Sequence, residues 1–176
     1  MPDDDFARLI VPLQARLTDC VWRIVRNAHE ADDVLQEVLL QVWRRFDEIR
    51  RHPNPSALLL CMSTRKALDH LRRRKVQRAR TTSLDDRVSS SQPSPAQQLA
   101  RNEEQARILA FIALLPPREA EALTLHVLED LDYSAVAGAM DCSASTVRVL
   151  VARARERFRR APAVDRAYPA MDPARP

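Results

Sequence analysis

The side chains with the clearest chemical capacity in this chain are cations set at helical spacing. Residues 72–80 read RRRKVQRAR and residues 148–160 read RVLVARARERFRR. Positive charge gathered on two segments is the electrostatic footprint of a nucleic-acid binder, since each cation that meets a phosphate releases a condensed counterion. The second segment can also read bases. Ser143, Ser145, Thr146, Arg148, Val149 and Arg153 fall at its start and on its outward side, and arginine pairs bidentately with guanine in the major groove. Arg155, Arg157, Arg159 and Arg160 flank them and suit phosphates, which position a protein without specifying sequence.

A third stretch offers a surface of a different kind. Over 32–46, DDVLQEVLLQVWRRF, the residues Val34, Val38, Val42 and Phe46 recur every fourth position, with Leu35, Leu39 and Trp43 beside them. That is the apolar stripe of a core-facing helix. Continued from Asp32 to Arg50, it runs about 28 Å at ~1.5 Å per residue. Its other side carries Asp33, Gln36, Glu37, Gln41 and Arg44, a polar face free to meet a partner.

The elements that must position these residues are helices. Ala, Leu, Arg, Glu and Gln are frequent, and there is a single glycine, Gly138, which argues against hairpins and glycine-rich phosphate loops. The expected fold is all-α, with two small helical domains joined by a flexible linker. Phe6–Ala28 reads as one helix or as a helix broken near Pro12, and Pro53 and Pro55 force a turn over 51–56. Ser56 is then a candidate N-cap for a long helix from Ala57 to Arg80, apolar first and strongly basic later. Residues 81–97, TTSLDDRVSSSQPSPAQ, have a linker's composition and reach roughly 55–60 Å when stretched at ~3.3 Å each. Beyond it come a helix to Leu115, with Ile108, Phe111, Ile112 and Leu115 facing inward, and another opened by Pro117, with Leu123 and Val127 inward. Ser134 then caps a short helix, residues 141–142 make a turn, and Ser143 caps the last helix, Ala144–Arg160. A short helix, a tight turn and a longer basic helix form a helix-turn-helix. The division is 1–80, 81–97, 98–161 and a tail over 162–176.

Other chemistries lack their residues. His29, His52, His70 and His126 are scattered, and Cys20, Cys61 and Cys142 form no ligand pair, so neither metal nor cofactor is expected. No nucleophile sits with a base and no paired carboxylates mark a hydrolytic site, which excludes a recognisable enzyme. The acidic start is no signal peptide, and the longest apolar run, Ala57–Met62, is far too short to cross a bilayer. A cytoplasmic protein is the expectation.

Three segments together resemble a known family. A-D-D-V-L-Q-E-V-x-x-x-V-W-R-x-F at 31–46 is similar to the polymerase-docking helix of bacterial sigma factors, the short extracytoplasmic-function type above all. R-K-A-L-D-H-L-R-R-R at 65–74 resembles that family's minus-ten segment. L-P-P-R-E-A-E-A-L-T-L, Y-S-A-V-A, S-A-S-T-V-R and A-R-A-R resemble its minus-thirty-five domain, and the three occur in the family's order. The resemblance implies a transcription initiation factor that binds core RNA polymerase, directs it to promoter DNA and helps open the duplex, held by an anti-sigma factor until a signal arrives. It assigns polymerase contacts to Asp33, Gln36, Glu37, Gln41 and Arg44, and minus-ten contacts to His52, Asn54, Ser56, Arg65, Lys66, Asp69, Arg72 and Arg73. Ser143, Ser145, Thr146, Arg148, Val149, Arg153 and Arg155 take the minus-thirty-five element. Leu58, Thr64-Arg65, Asp141 and Leu150 depart from the family's usual residues. The alternative is a stand-alone helix-turn-helix regulator whose first domain dimerises or senses a ligand.

Overall fold

The computed structural model describes residues 2–80 and 105–161. The linker expected over 81–97 and the tail over 162–176 lie outside the described residues. What is described is helical: α1 (Pro2–Ile10), a 3-10 turn (Val11–Leu13), α2 (Gln14–Val25), α3 (Ala28–Arg44), α4 (Phe46–Ile49), α5 (Pro55–Arg80), α6 (105–112), α7 (Pro117–Val127), α8 (Tyr133–Ala139) and α9 (Ala144–Arg160).

The first helices turn on two local signals. Arg26 takes a left-handed conformation, φ 57°, and stops α2 with its N–H on the Trp22 carbonyl. Asn27 then caps α3, its side chain accepting the Glu30 N–H at 3.0 Å. The helix therefore starts ahead of Asp32, because Asn27 satisfies free amides that Asp32, lying inside the helix, does not. Nor does it run unbroken to Arg50. It stops at Arg45, whose guanidinium forks onto Glu48 at 2.9 and 2.6 Å, and the redirected α4 brings Ile49 into the core at 1% exposure. Val34, Val38 and Val42 are buried as the pattern predicts. Trp43 is half-exposed and meets the Phe6 ring edge-on at 5.0 Å.

Helix α5 is the axis of the molecule. Asn54 caps it, accepting the Ala57 N–H at 3.0 Å, so the cap is Asn54 and not Ser56, with Pro55 in the first turn where no N–H is needed. Residues 59–64 are all buried. A helix can bury every side only when neighbours surround it. Here α2 and α3 pack on it from the first domain, and α7 and α8 from the second.

In the second domain Asp132, not Ser134, caps α8, accepting the Ala135 N–H at 2.7 Å. Ser143 caps α9 as expected, accepting the Thr146 N–H at 3.1 Å. Asp141, in the turn between α8 and α9, adopts φ 50°, a conformation Asp tolerates better than most residues. Leu125, Val136, Val147, Val151 and Ala154 form the core, closed by an edge-on Phe111–Phe158 contact at 4.9 Å. Leu123 and Val127 are only partly buried; on α7 the enclosed positions are Glu119 to Ala122, Thr124 and Leu125. The linker's composition predicts domains that stand apart, whereas α7 and α8 pack on α5, and Arg16 and Arg23 of α2 donate to the Glu129 and Leu128 carbonyls.

Candidate nucleic-acid interface

On α9 the inward and outward sides separate as the period predicts. Val147, Val151 and Ala154 are buried, while Ser145, Thr146, Arg148, Val149 and Arg153 are exposed. Ser143 Oγ lies 2.8 Å from both the Ser145 and Thr146 hydroxyls, so the helix entrance is a small polar cluster. The Arg148 guanidinium sits over the Tyr133 ring at 5.2 Å, and Tyr133 stacks in turn on His126 at 4.2 Å. His126 is fixed by donating from Nδ1 to the Leu131 carbonyl at 2.8 Å. This stack had no signal in the sequence, since Tyr133 and Arg148 belong to different helices.

The basic flank is less free than its composition suggests. Arg157 donates to the buried Glu119 carboxylate at 2.9 Å. Arg159 and Arg160 both pair with Glu156. Arg155 turns inward, and its Nε is enclosed without a partner. The α5 cations divide likewise. Arg72 donates to Asp69 at 3.2 Å and Arg74 to Glu30 at 2.9 Å, so both lie along the body, and Arg73 is exposed.

Between α3 and α5 runs an open groove of about 570 Å³ that brings two predicted sets together: Glu37, Gln41 and Arg44 from α3, and Arg65, Lys66 and Asp69 from α5. Glu37 and Lys66 close across it at 2.8 Å, and the Lys66 ammonium holds the Glu37 carboxyl below the usual carboxylate range. Asp33 and Gln36 are exposed on the same helix. Periodicity does not reveal the apolar part of this face: Leu40 is 57% exposed and Trp43 47%. Exposed large apolar side chains beside polar ones are a partner's footprint. Farther along, burial works against the Glu30 charge, but hydrogen bonds from His70 and Arg74 win and lower its pKa.

Three of the remaining minus-ten candidates, His52, Asn54 and Arg65, are engaged within the chain. Asn54 caps α5, and its own N–H donates to His52 Nδ1 at 3.1 Å. His52 Nε2 lies 3.2 Å from the Gly138 carbonyl of α8, to which it donates. Arg65 donates to Glu121 of α7 through Nε at 3.0 Å, with Nη2 at 2.8 Å. Ser56 is half-buried at the helix start. The thiols near this seam are inert. Burial, then the Glu129 charge, pushes Cys20 up to about 12, and burial and Glu121 likewise raise Cys61. Among the described residues no cluster of three or more His, Cys, Asp or Glu could hold a metal ion, and no single helix is long and apolar enough to cross a membrane.

Comparison with known proteins accounts for both halves. Residues 9–77 match the model of sigma-70 region 2, and residues 105–158 that of sigma-70 region 4. The RNA polymerase sigma-H factor of Pseudomonas aeruginosa is 30% identical over 159 residues, covering 86% of this chain and 82% of its own. The ECF RNA polymerase sigma factor SigE of Mycolicibacterium smegmatis is 29% identical over 146 residues, 82% of this chain and 56% of that protein. Among solved structures, the sigma factor RpoE of Bartonella quintana, crystallised with the anti-sigma factor NepR, superposes with a TM-score of 0.59 at 20% identity. That superposition covers 92% of this chain and 99% of RpoE.

Proposed function

The chain belongs to the sigma-70 family, of the extracytoplasmic-function type, and from that premise we propose how its surfaces divide the work of transcription initiation. Core RNA polymerase takes the outward face of α3, with Asp33, Gln36, Glu37, Gln41 and Arg44 around the exposed Leu40 and Trp43. The minus-ten element takes the face of α5 that carries His52, Arg65, Lys66 and Arg73. The minus-thirty-five element takes the entrance of α9. There Ser145, Thr146, Arg148 and Arg153 face base edges, and Ser143 at the helix entrance meets a backbone phosphate.

The observation that carries this reading is the separation of burial on α9: every outward residue expected at the base edges is exposed while the opposite stripe is enclosed. A stand-alone helix-turn-helix regulator is not favoured, because it leaves the region 2 half without a role. The protein acts with polymerase in the cytoplasm and performs no catalysis of its own. An anti-sigma factor is its expected regulator.

Run-off transcription with core polymerase on a genomic promoter pool tests the whole. Specific transcripts should need the chain and disappear with Arg148→Ala combined with Arg153→Ala. Binding of the pool without stoichiometric capture of core polymerase would return the question to the stand-alone regulator.

A further inference from the structure

Helix α9 is held at both ends by two consecutive residues of α7. At its entrance the chain turns the α8–α9 corner, where the two helices bend by 102°, within the range of a helix-turn-helix. Asp141 takes φ 50°, and the Cys142 N–H returns to the Ala137 carbonyl at 3.0 Å, the bond a left-handed helix end makes. The Met140 carbonyl is met from outside the corner: the Arg118 guanidinium donates to it at 3.2 Å. A helix end leaves its last carbonyls without intrahelical partners, and Arg118 supplies one. At the far end of α9 the next residue of α7, Glu119, accepts from Arg157 Nε at 2.9 Å. The Glu119 side chain is 6% exposed and that of Arg157 57%, so a buried carboxylate holds a cation from the surface. Phe158, next in the chain, packs edge-on against Phe111 of α6.

Met140 and Arg157 bracket the outward residues of α9, from Ser145 to Arg153. Side chains that read bases must be held to about 0.5 Å and 10–20° by groups outside the contact itself. The stripe of Val147, Val151 and Ala154 keeps α9 on its core, but apolar burial is non-directional. The directional contacts that fix the tilt come from α7. Arg157 is also committed electrostatically. A cation already matched by a buried carboxylate has less charge to give a phosphate, and removing it leaves that carboxylate unpaired.

We propose that Arg118 and Glu119 are positioning residues for the upstream element: Arg118 sets the helix-turn-helix corner through the Met140 carbonyl, and Glu119 fixes the tail of α9 through Arg157, which serves as a strut and not as a phosphate contact. The proposal rests on the assignment of α9 to the minus-thirty-five element made above. Base preference then depends on side chains that lie off the recognition helix, while Arg118 and Arg157 carry no share of the salt dependence.

The test uses the full chain assembled with core RNA polymerase and a labelled duplex library randomised across the upstream element. Sequencing of the bound fraction reads base preference, and anisotropy at several salt concentrations reads the slope. The variants are Arg118→Ala, Arg118→Lys, which keeps a donor for the Met140 carbonyl, and Glu119→Gln combined with Arg157→Ala, which leaves no buried charge unpaired. Far-UV circular dichroism checks the fold of each. Arg118→Ala and the double variant should each flatten preference about three-fold or more at the position that Arg148→Ala flattens, part of what the bidentate contact itself supplies. Their salt slopes should match wild type, and Arg118→Lys should restore the preference. A slope lower by about one with base preference intact makes Arg118 or Arg157 a phosphate contact and overturns the proposal. Unchanged preference in either variant overturns it too, as does an equal loss on every sequence, the mark of a domain that is merely loosened. Arg148→Ala separates the two layers. If it leaves base preference untouched, the minus-thirty-five assignment fails, whatever the α7 variants do.

Discussion

Replacing Tyr133 with leucine should weaken base selectivity at one promoter position while leaving non-specific binding unchanged. Arg148 lies on the Tyr133 ring, and His126 backs that ring, so the guanidinium is held at the entrance of α9 before DNA arrives. A cation over an aromatic face at an exposed site contributes about 0.5–1 kcal/mol. Losing it should cost roughly two- to five-fold in affinity for the preferred promoter. Removing Arg148 itself should cost about 1–3 kcal/mol, the worth of a bidentate contact to guanine, and relax preference at that base. Tyr133→Phe keeps the ring and should behave as wild type. The two effects must couple: in an Arg148→Ala background, Tyr133→Leu should lose its effect on binding. The assay is binding across single-base variants of the upstream element at two salt concentrations, well below each variant's Tm. If Arg148→Ala weakens every variant alike, Arg148 is a phosphate contact and specificity lies with Ser145, Thr146, Arg153 or DNA shape. If Tyr133→Leu costs as much without Arg148 as with it, the stack plays no part in positioning.

Other expectations follow from the same contacts. Arg159→Ala should weaken binding to all sequences equally and lower the salt slope by about one, or by less if its pairing with Glu156 persists on DNA; salt titration on two unrelated duplexes decides. Leu40→Ala with Trp43→Ala should reduce affinity for core polymerase while thermal stability stays near wild type, and unchanged affinity in a pull-down removes this face from the interface. Glu129 has its carboxyl raised by burial against the Arg23 side of α2, so its ionised form disfavours the packing of the 128–129 connection on α2. That packing should therefore weaken as pH rises through the raised value, and Glu129→Gln should flatten the pH dependence of chain dimensions above the ordinary carboxylate range. Glu30 has the opposite sign. Its lowered carboxyl stabilises the α3–α5 pairing above its ordinary value and loses that contribution as pH falls below it, so Glu30→Gln should flatten the acid limb of the Tm profile.

The sequence was most legible where structure is local. The four-residue period of Val34, Val38 and Val42, the Ser143 cap and the two faces of α9 follow from spacing alone, because a helix needs only its own neighbours to declare itself. Caps were harder. Ser134 and Asp132 both precede the α8 run, as Ser56 and Asn54 precede α5. Which one caps depends on where the chain's extended φ/ψ ends, and composition does not carry that. Hardest were the acids. Glu119, Glu121 and Glu129 look like solvated helix-face residues, yet all three are buried, because arginines at 157, 65 and 23 reach them from other helices. Long-range charge pairing leaves no periodic trace. The same reasoning explains why the linker composition predicted separate domains. Flexibility of a tether says how far two domains can move and nothing about whether buried charge draws them together. Here the buried Glu121 carboxylate of α7 takes both Nε and Nη2 of Arg65 on α5, a contact between helices that no spacing within either one announces.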